Sequence, residues 1–345
     1  DRMGVKPLYY GWDGSTLWFG SELKALRKFR HWRVETDPAA MADYFQYGYI
    51  NAPRSIYRNV FKLPPGHLLD LKSQGEPEVR RYWSVLDSLD TPHTGSEDEL
   101  AEQLEALMVD AFRLRMVSDV PVGMFLSGGI DSSLVTALLQ KHHGNVKTFT
   151  IGFNEVGHNE APHARRVAEH LGTSHTERIL ETEEVKRILP QWGDLYDEPF
   201  QDSSGIPTYL VSKIAGEQVK VVLSADGGDE LFSGYNVYEG VLNRVAKLER
   251  IPAALRHAIA GAGKLIPLEH LDESIALSGM PQSVRKMLRG SLTRPACRIH
   301  DYVSAPTHGA VYEQAMKFWS PRGIERLIGS YDSVRPTADH HPGSL

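Results

Sequence analysis

Between residues 120 and 225, short apolar runs alternate with amphipathic stretches, and this pattern limits the fold more than any other feature of the chain. Residues 120–126 (VPVGMFL), 147–153 (KTFTIGF), 174–180 and 219–225 (VKVVLSA) read as strands. Residues 133–143, 160–171, 182–189 and 207–217 carry helical spacing between them. Strands that are apolar on both faces and separated by helices pair in parallel and are covered on both sides. The expectation is therefore an α/β chain with a doubly wound parallel sheet in a core at 98–240.

The flanking regions read differently. Residues 1–83 look β-rich: LYYGWDGSTLWFGSE places two aromatic strands around the turn Trp12-Asp13-Gly14-Ser15, and Pro64-Pro65-Gly66 precedes a strand at 68–72. Residues 84–97 read as a linker. Ser96 with Glu99 three positions on is a capping box, and Leu100, Leu104, Leu107, Met108, Ala111 and Leu114 follow at helical spacing. After Phe232 the pattern is helical to the end, giving a fourth region at 241–345.

Composition narrows the class of function. With 38 Lys and Arg against 44 Asp and Glu, the 345-residue chain carries −6, unlike the basic surface of a dedicated nucleic-acid binder. No apolar run approaches the roughly 18–20 residues that span a bilayer. The single cysteine, Cys297, makes neither an intrachain disulfide nor a multi-cysteine zinc site, which favours a reducing, cytoplasmic setting. Small-molecule substrates, no nucleic acid, no membrane and a homodimer are the expected partners.

The strongest local motif is Leu126-Ser127-Gly128-Gly129-Ile130-Asp131-Ser132-Ser133, between a strand and a helix. Two glycines let the backbone turn tightly and bring its N–H groups to an anion, and the helix that follows points its positive end at the same place. Ser127, Ser132 and Ser133 add hydroxyls, and Asp131 puts a carboxylate where a magnesium ion would bridge it to phosphate. The alternative, an ordinary glycine-rich turn, is weakened by five fixed positions in S-G-G-x-D-S. No Gly-Lys-Ser/Thr is present, so this is not the mononucleotide P-loop.

A second loop, Ser224-Ala225-Asp226-Gly227-Gly228-Asp229-Glu230, ends the run VKVVL. Ligands of open parallel sheets sit at the carboxyl ends of the strands, so both loops are expected at one site. There Asp229 could meet the same magnesium as Asp131, and Asp226 could touch the acceptor or the nucleophile. A solvated acidic turn is the plainer alternative for this loop alone.

Together these segments carry a resemblance. LSGGIDSSLVTALL matches the pyrophosphate-binding loop of the N-type ATP pyrophosphatases. With TFTIGF, NEAPHARRVAEHLGTSHT, YDEPFQDSSGIPTYLVSK and VVLSADGGDELFSGYNVY, the chain resembles glutamine-hydrolysing asparagine synthetases over residues 1 to about 240. The resemblance implies an ATP-dependent amide-forming ligase with ATP and magnesium as cofactors. It would make asparagine through a β-aspartyl adenylate, with ammonia drawn from glutamine. Implied roles are ATP binding for Leu126, Ser127, Gly128, Gly129, Asp131, Ser132, Ile151, Ser224 and Ala225, magnesium for Asp131 and Asp229, and catalysis for Asp226 and Glu230. Some members carry an arginine where Ser203 stands, and many carry glycine at Ala225. Residues 1–83 resemble the last part of a glutaminase (glutamine amidotransferase type 2, Ntn-hydrolase) domain. The chain starts at Asp1 rather than at the nucleophilic cysteine, so glutamine hydrolysis is not expected of it as it stands. The late K-x-D-R-x-S-M-like motif is also missing, which suggests an incomplete carboxyl end. Related readings are an amidotransferase acting on another carboxylate (a sugar acid or a lactam former), a nucleotide-binding fragment without activity, and a tRNA-modifying thiolase or lysidine-type enzyme sharing S-G-G-x-D-S.

Smaller signals read as structural. His142-His143 fits a helix end and His340-His341 a tail. His158, His163, His170 and His175 surround one helix without the spacing of a metal pair. Tyr44, Phe45, Tyr47 and Tyr49 read as packing, and Cys297 as an inert thiol.

Overall fold

The computed structural model describes residues 1–258 and 302–331, apart from 31, 74, 90–93, 155–158, 253, 257, 304 and 306. Cys297, His158 and His340-His341 lie outside the described residues. By backbone contacts the chain forms two units: residues 1–44 with 48–228, and residues 45–47 with the described residues from 229 on.

The first unit begins with strands β1 (Tyr9–Trp12) and β2 (Leu17–Gly20), antiparallel around the Asp13-Gly14 turn. Asp13 holds that turn by accepting from the amides of Ser15 and Thr16. A short helix α1 (Leu23–Leu26) follows, then α2 (Pro38–Tyr47). Asp37 caps α2 by accepting from the Ala39 amide, Pro38 opens its first turn, and Gly48 ends it at φ 83°. This helix interrupts the stretch read from sequence as β-rich. β3 (Val60–Lys62) joins the other edge of β1, giving the order β2-β1-β3. Tyr9, Trp18, Leu23, Leu26, Trp32 and Val60 form the core beneath this sheet. β4 (His67–Asp70) and β5 (Glu78–Arg81) make a separate hairpin.

Helix α3 (Glu97–Arg115) starts with the expected capping box at Ser96 and Glu99. Its expected apolar stripe is not buried: Leu104, Leu107 and Leu114 are exposed, and only Phe112 and Met116 near its end reach a core. The core is a four-stranded, wholly parallel sheet built from β6 (Val122–Phe125), α4 (Ile130–His143), β7 (Lys147–Phe153), α5 (Ala161–Leu171), β8 (Ser174–Leu180), α6 (Thr182–Lys186), α7 (Trp192–Leu195), α8 (Gly205–Ala215) and β9 (Val221–Leu223). Its order is β8-β7-β6-β9. The chain winds outward from β6 to β8, then crosses back to place β9 on the other side of β6, so its helices cover both faces.

Alternation along β6 shows both faces directly. Met124 packs with Val135, Leu139 and Val146 under α4, whereas Phe125 packs with Phe149, Val211, Ala215 and Val219 under α8. Leu126, on the Met124 side, meets Ala164 and Ala168 of α5. Small residues there let α5 lie close to the strand. The bounds expected for β7 and β8 match those observed, because each is a seven-residue run bounded by polar turns. β9 pairs over three residues rather than the seven read from VKVVLSA.

The second unit contains α9 from Asp229 onward (the helix is Gly228–Phe232), α10 (Asn236–Glu249), α11 (His308–Met316) and α12 (Pro321–Ile328). Val241, Leu248, Val303 and Val311 are its core. The last residues of α2 join it: Phe45 packs on Trp319, the Tyr47 hydroxyl donates to Glu313 at 3.1 Å, and the Phe318 amide donates to the Gln46 carbonyl at 2.8 Å. Part of the aromatic cluster thus serves packing.

Asp43, on the buried side of α2, receives the Arg54 guanidinium at 3.4 Å. Burial outweighs that attraction and pushes its carboxyl up to about 6 from an ordinary 3.8. Between those values the folded chain keeps a proton that the unfolded chain has released, so native stability falls as pH rises through that window. Asp43→Asn removes this contribution. Melting curves of wild type and D43N between pH 4 and pH 7 should diverge in favour of the variant as pH rises to about 6, then run parallel. An unchanging difference would refute the burial argument.

Candidate active site at the carboxyl rim

Each strand of the parallel sheet ends on one rim, and the expected site residues follow those ends. The Ser127 loop leaves β6 and the Ser224 loop leaves β9, next to it in the sheet. Helix α8 also starts at this rim, since a crossover helix runs from the carboxyl ends of the strands back to the amino ends. Residues 196–204, which lead into α8, therefore lie on the same side.

Hydrogen bonds made by the Ser127 loop itself set its shape. The hydroxyls of Ser127 and Ser132 lie 2.9 Å apart, the Ser127 amide donates to the Ser132 hydroxyl at 3.2 Å, and the Gly129 amide donates to the Ser127 hydroxyl at 3.2 Å. Gly129 is the N-cap of α4, and no side chain caps that end. The first amides of a fourteen-residue helix are therefore left for a ligand, on the end that carries the positive pole of the helix dipole. α4 starts at Ile130, three positions before the start read from sequence, so Asp131 and Ser132 stand in its first turn.

Gly128 adopts φ +84°, and a Cβ there would lie 2.5 Å from the Ala164 nitrogen and 2.8 Å from the His163 Cβ. The loop thus rests directly on the backbone of α5. Behind it, Gly128, Ser133, His163, Arg166 and His170 line a groove of about 700 Å³ between α4 and α5. Within this groove Arg166 meets His163 Nδ1 at 2.7 Å. Ser133 was expected to serve the anion with Ser127 and Ser132. It lines this groove, and its buried hydroxyl has no protein partner.

On the neighbouring loop, the Asp226 amide donates to the Ser224 hydroxyl at 3.3 Å, and the Gly228 amide to the Ala225 carbonyl at 3.2 Å. Gly227 holds φ +98° with open space around it. Gly228 touches Asp131: a Cβ on it would fall 2.7 Å from the Asp131 carboxyl. The sheet therefore brings Leu126, Ser127, Gly128, Gly129, Asp131, Ser132, Ser224, Ala225 and Asp226 to one rim. The Ala225 methyl packs on the core under α4. Ile151, on β7, is partly buried between the Phe149 and Leu180 clusters.

Asp229 and Glu230 open the second unit. Gly234 sits on Asp229, donating its amide to the Asp229 carbonyl at 2.9 Å. Glu230 accepts the Tyr235 hydroxyl at 2.9 Å, and this bond drives the Tyr235 phenol up to about 12.

Among the described residues, no group of three or more His, Cys, Asp or Glu could hold a metal. This donor chemistry suits magnesium, which takes one or two carboxylates and completes its shell with phosphate and water oxygens. His175 is structural: its Nδ1 lies 2.9 Å from the Thr148 hydroxyl, and burial lowers its pKa. Asp197 and Glu198, to which the sequence assigns no role, accept the Leu23, Lys24 and Ile56 amides on this side of the sheet. They stand in YDEPFQDSSGIPTYLVSK, one of the segments that carry the resemblance, but the sequence shows none of their partners.

The family model described as asparagine synthase matches residues 103–335, and that described as a glutamine amidotransferase domain matches residues 1–83. A putative asparagine synthetase [glutamine-hydrolyzing] 2 of Methanocaldococcus jannaschii is 38% identical over 264 residues, 74% of this chain and 50% of that protein. Asparagine synthetase [glutamine-hydrolyzing] 1 of Bacillus subtilis is 33% identical over 267 residues, 77% of this chain and 42% of that protein. The chain thus spans at most about half the length of these relatives. An NH3-dependent NAD synthetase from Campylobacter jejuni aligns at a TM-score of 0.29 with 22% identity, over 39% of this chain and 60% of that one, too little to bear on the fold. No helix among the described residues is long and apolar enough to cross a membrane.

The loop geometry separates two glycines. Gly227→Ala meets only backbone strain, about 1–2 kcal/mol. Gly128→Ala adds a collision with the α5 backbone and should cost clearly more in denaturant unfolding. Equal costs for the two would contradict the close packing of the loop on α5.

Proposed function

Because the chain belongs to the asparagine synthase family, we propose that it forms part of an ATP-dependent ligase that converts aspartate to asparagine. In this reading residues 1–83 are the carboxyl part of a glutaminase domain, 84–97 the linker, 98–240 the synthetase core and 241–345 its helical part. The observation that carries the reading is the uncapped start of α4 behind Ser127-Gly128-Gly129, with the Asp131 carboxyl against the backbone of the neighbouring Gly228.

The α4 amides and the Ser127 loop hold the β- and γ-phosphates of ATP. A β-carboxylate oxygen of aspartate attacks the α-phosphorus, and the bond from that phosphorus to the bridging oxygen breaks. The charge that grows on departing pyrophosphate falls on a preorganised set of N–H donors, which need no rearrangement to receive it. Ammonia then attacks the acyl carbon of the adenylate, AMP leaves, and the excess proton on nitrogen passes to a base. We assign that proton to Asp226, exposed at the rim beside Ser224. Glu230 stays in the reading as a second acidic group, with one oxygen already engaged by Tyr235. Ile151 and the backbone of Ser224 and Ala225 are assigned to the nucleoside side of ATP. Asp131 and Asp229 are the residues that would hold magnesium, which would supply neutralisation of phosphate charge.

The one cysteine and the net charge of −6 support a cytoplasmic enzyme acting on small molecules. The proposed assembly is a homodimer.

In the intact protein, Asp131→Ala should cut aspartate-dependent pyrophosphate release by at least about 10²-fold. Release near the wild-type rate would overturn the role of Asp131. Measuring AMP formation one acceptor at a time tests the substrate: AMP with another carboxylate but none with aspartate would replace asparagine synthesis by a related amide ligation.

A further inference from the structure

Two adjacent carboxylates at the sheet rim receive donors from four places in residues 1–83. Asp197 Oδ2 accepts the Leu23 amide at 2.7 Å and its Oδ1 the Lys24 amide at 3.3 Å, with the Lys24 ammonium 3.8 Å from Oδ1. Glu198 Oε1 accepts the Ile56 amide at 2.8 Å, and Oε2 meets the Lys62 ammonium at 2.6 Å. The Tyr9 hydroxyl bonds Glu198 as well, and burial and that carboxylate together push the phenol upward. Lys62 also donates to the Ile50 carbonyl at 2.6 Å, and the Gln201 amide donates to the Gly48 carbonyl at 2.8 Å.

These contacts fix more than attachment. β1, the start of α1, the segment before β3 and β3 itself are separate, non-collinear points, so together they set both position and orientation. Both side chains are largely shielded from water, at 13% and 12% exposure, so a donor that loses its carboxylate is left without an equal partner. Of these donors, the Leu23, Lys24 and Ile56 groups are main-chain amides, which cannot swing to another acceptor.

The carboxylates themselves stand between α7 and α8, and α8 packs on β7 through Val211 and Ala215. They therefore tie the β2-β1-β3 sheet to the segment that leads into α8, on the same side of the parallel sheet as the Ser127 and Ser224 loops.

We propose that Asp197 and Glu198 are positioning residues that register the amidotransferase part on the synthetase rim, so that nitrogen released in the first reaches the acceptor in the second. The proposal rests on the ligase reading above. Neither side chain is placed in the nucleotide or acceptor site, so each acts by holding the two parts in register.

The test uses Glu198→Gln, which keeps the acceptor for the Ile56 amide but loses the charge facing Lys62, and Asp197→Asn. In the intact protein, synthesis from ammonium chloride should stay within about twofold of wild type. Synthesis from glutamine should fall about tenfold, with glutamate formed in excess of asparagine. If both nitrogen sources lose rate together, or if glutamate and asparagine stay in step, the pair does not position the two parts.

If wild type makes no asparagine from ammonia and ATP, the ligase reading itself fails, and the structural half of the proposal is still decided on this chain. Amide hydrogen exchange of E198Q should rise in peptides covering 9–26 and 50–62 while those covering 122–153 keep their protection. Unchanged exchange in the first two regions would overturn the registering role, and so would loss of protection throughout.

Discussion

Parallel pairing of β6 with β7 on one edge and β9 on the other is the constraint from which the rest of the site follows. Because all four strands point the same way, every loop that leaves them emerges on one rim. A central strand has no free edge, so its backbone groups are satisfied by its neighbours, and its side chains must be apolar on both faces. Met124 and Phe125 meet that requirement on opposite sides. The fold therefore delivers Ser127 and Ala225 to adjacent positions before any side-chain chemistry is considered.

The close seat of Gly128 on α5 extends this logic. A loop that must turn at φ +84° and also touch a helix backbone has room for glycine alone. That contact holds the start of α4 with its amides open. A capped helix would have spent the same groups on its own side chains.

Most of this core was legible in the sequence, because strand and helix periods are local properties. The bounds read for β7 and β8 match the structure; β7 is an apolar run closed by polar residues, whereas β8, SHTERIL, is largely polar and all seven of its residues pair with β7. The run at 219–225 was read too long because apolar composition does not say how many residues find a partner: only Val221–Leu223 pair with β6. Helix α2 carries the start signal Asp37-Pro38, but it sits in a stretch whose aromatic strands and turns read as β-rich. The α3 stripe misled in the opposite way, as spacing alone does not supply a surface to cover Leu107 or Leu114. At the site, the Ser127 loop announced itself through fixed residue types. Ser133 did not separate from Ser132 until the helix put them on different faces. Asp197 and Glu198 lie in a segment that carries the resemblance, but their role is not local: their partners lie 174 and 142 positions away and only tertiary structure makes those bonds.

The kind of donor that meets those two carboxylates has a consequence for how the protein can change over time. Leu23, Lys24 and Ile56 offer their main-chain nitrogens to them, and a main-chain nitrogen is common to every amino acid but proline. Positions 23, 24 and 56 can therefore change side chain without losing these three bonds, whereas Tyr9 and Lys62, which reach Glu198 through their side chains, cannot. The acidic pair that receives these bonds has far less freedom, so substitution should accumulate unevenly across this junction, broadly at those three positions and sparsely at the pair.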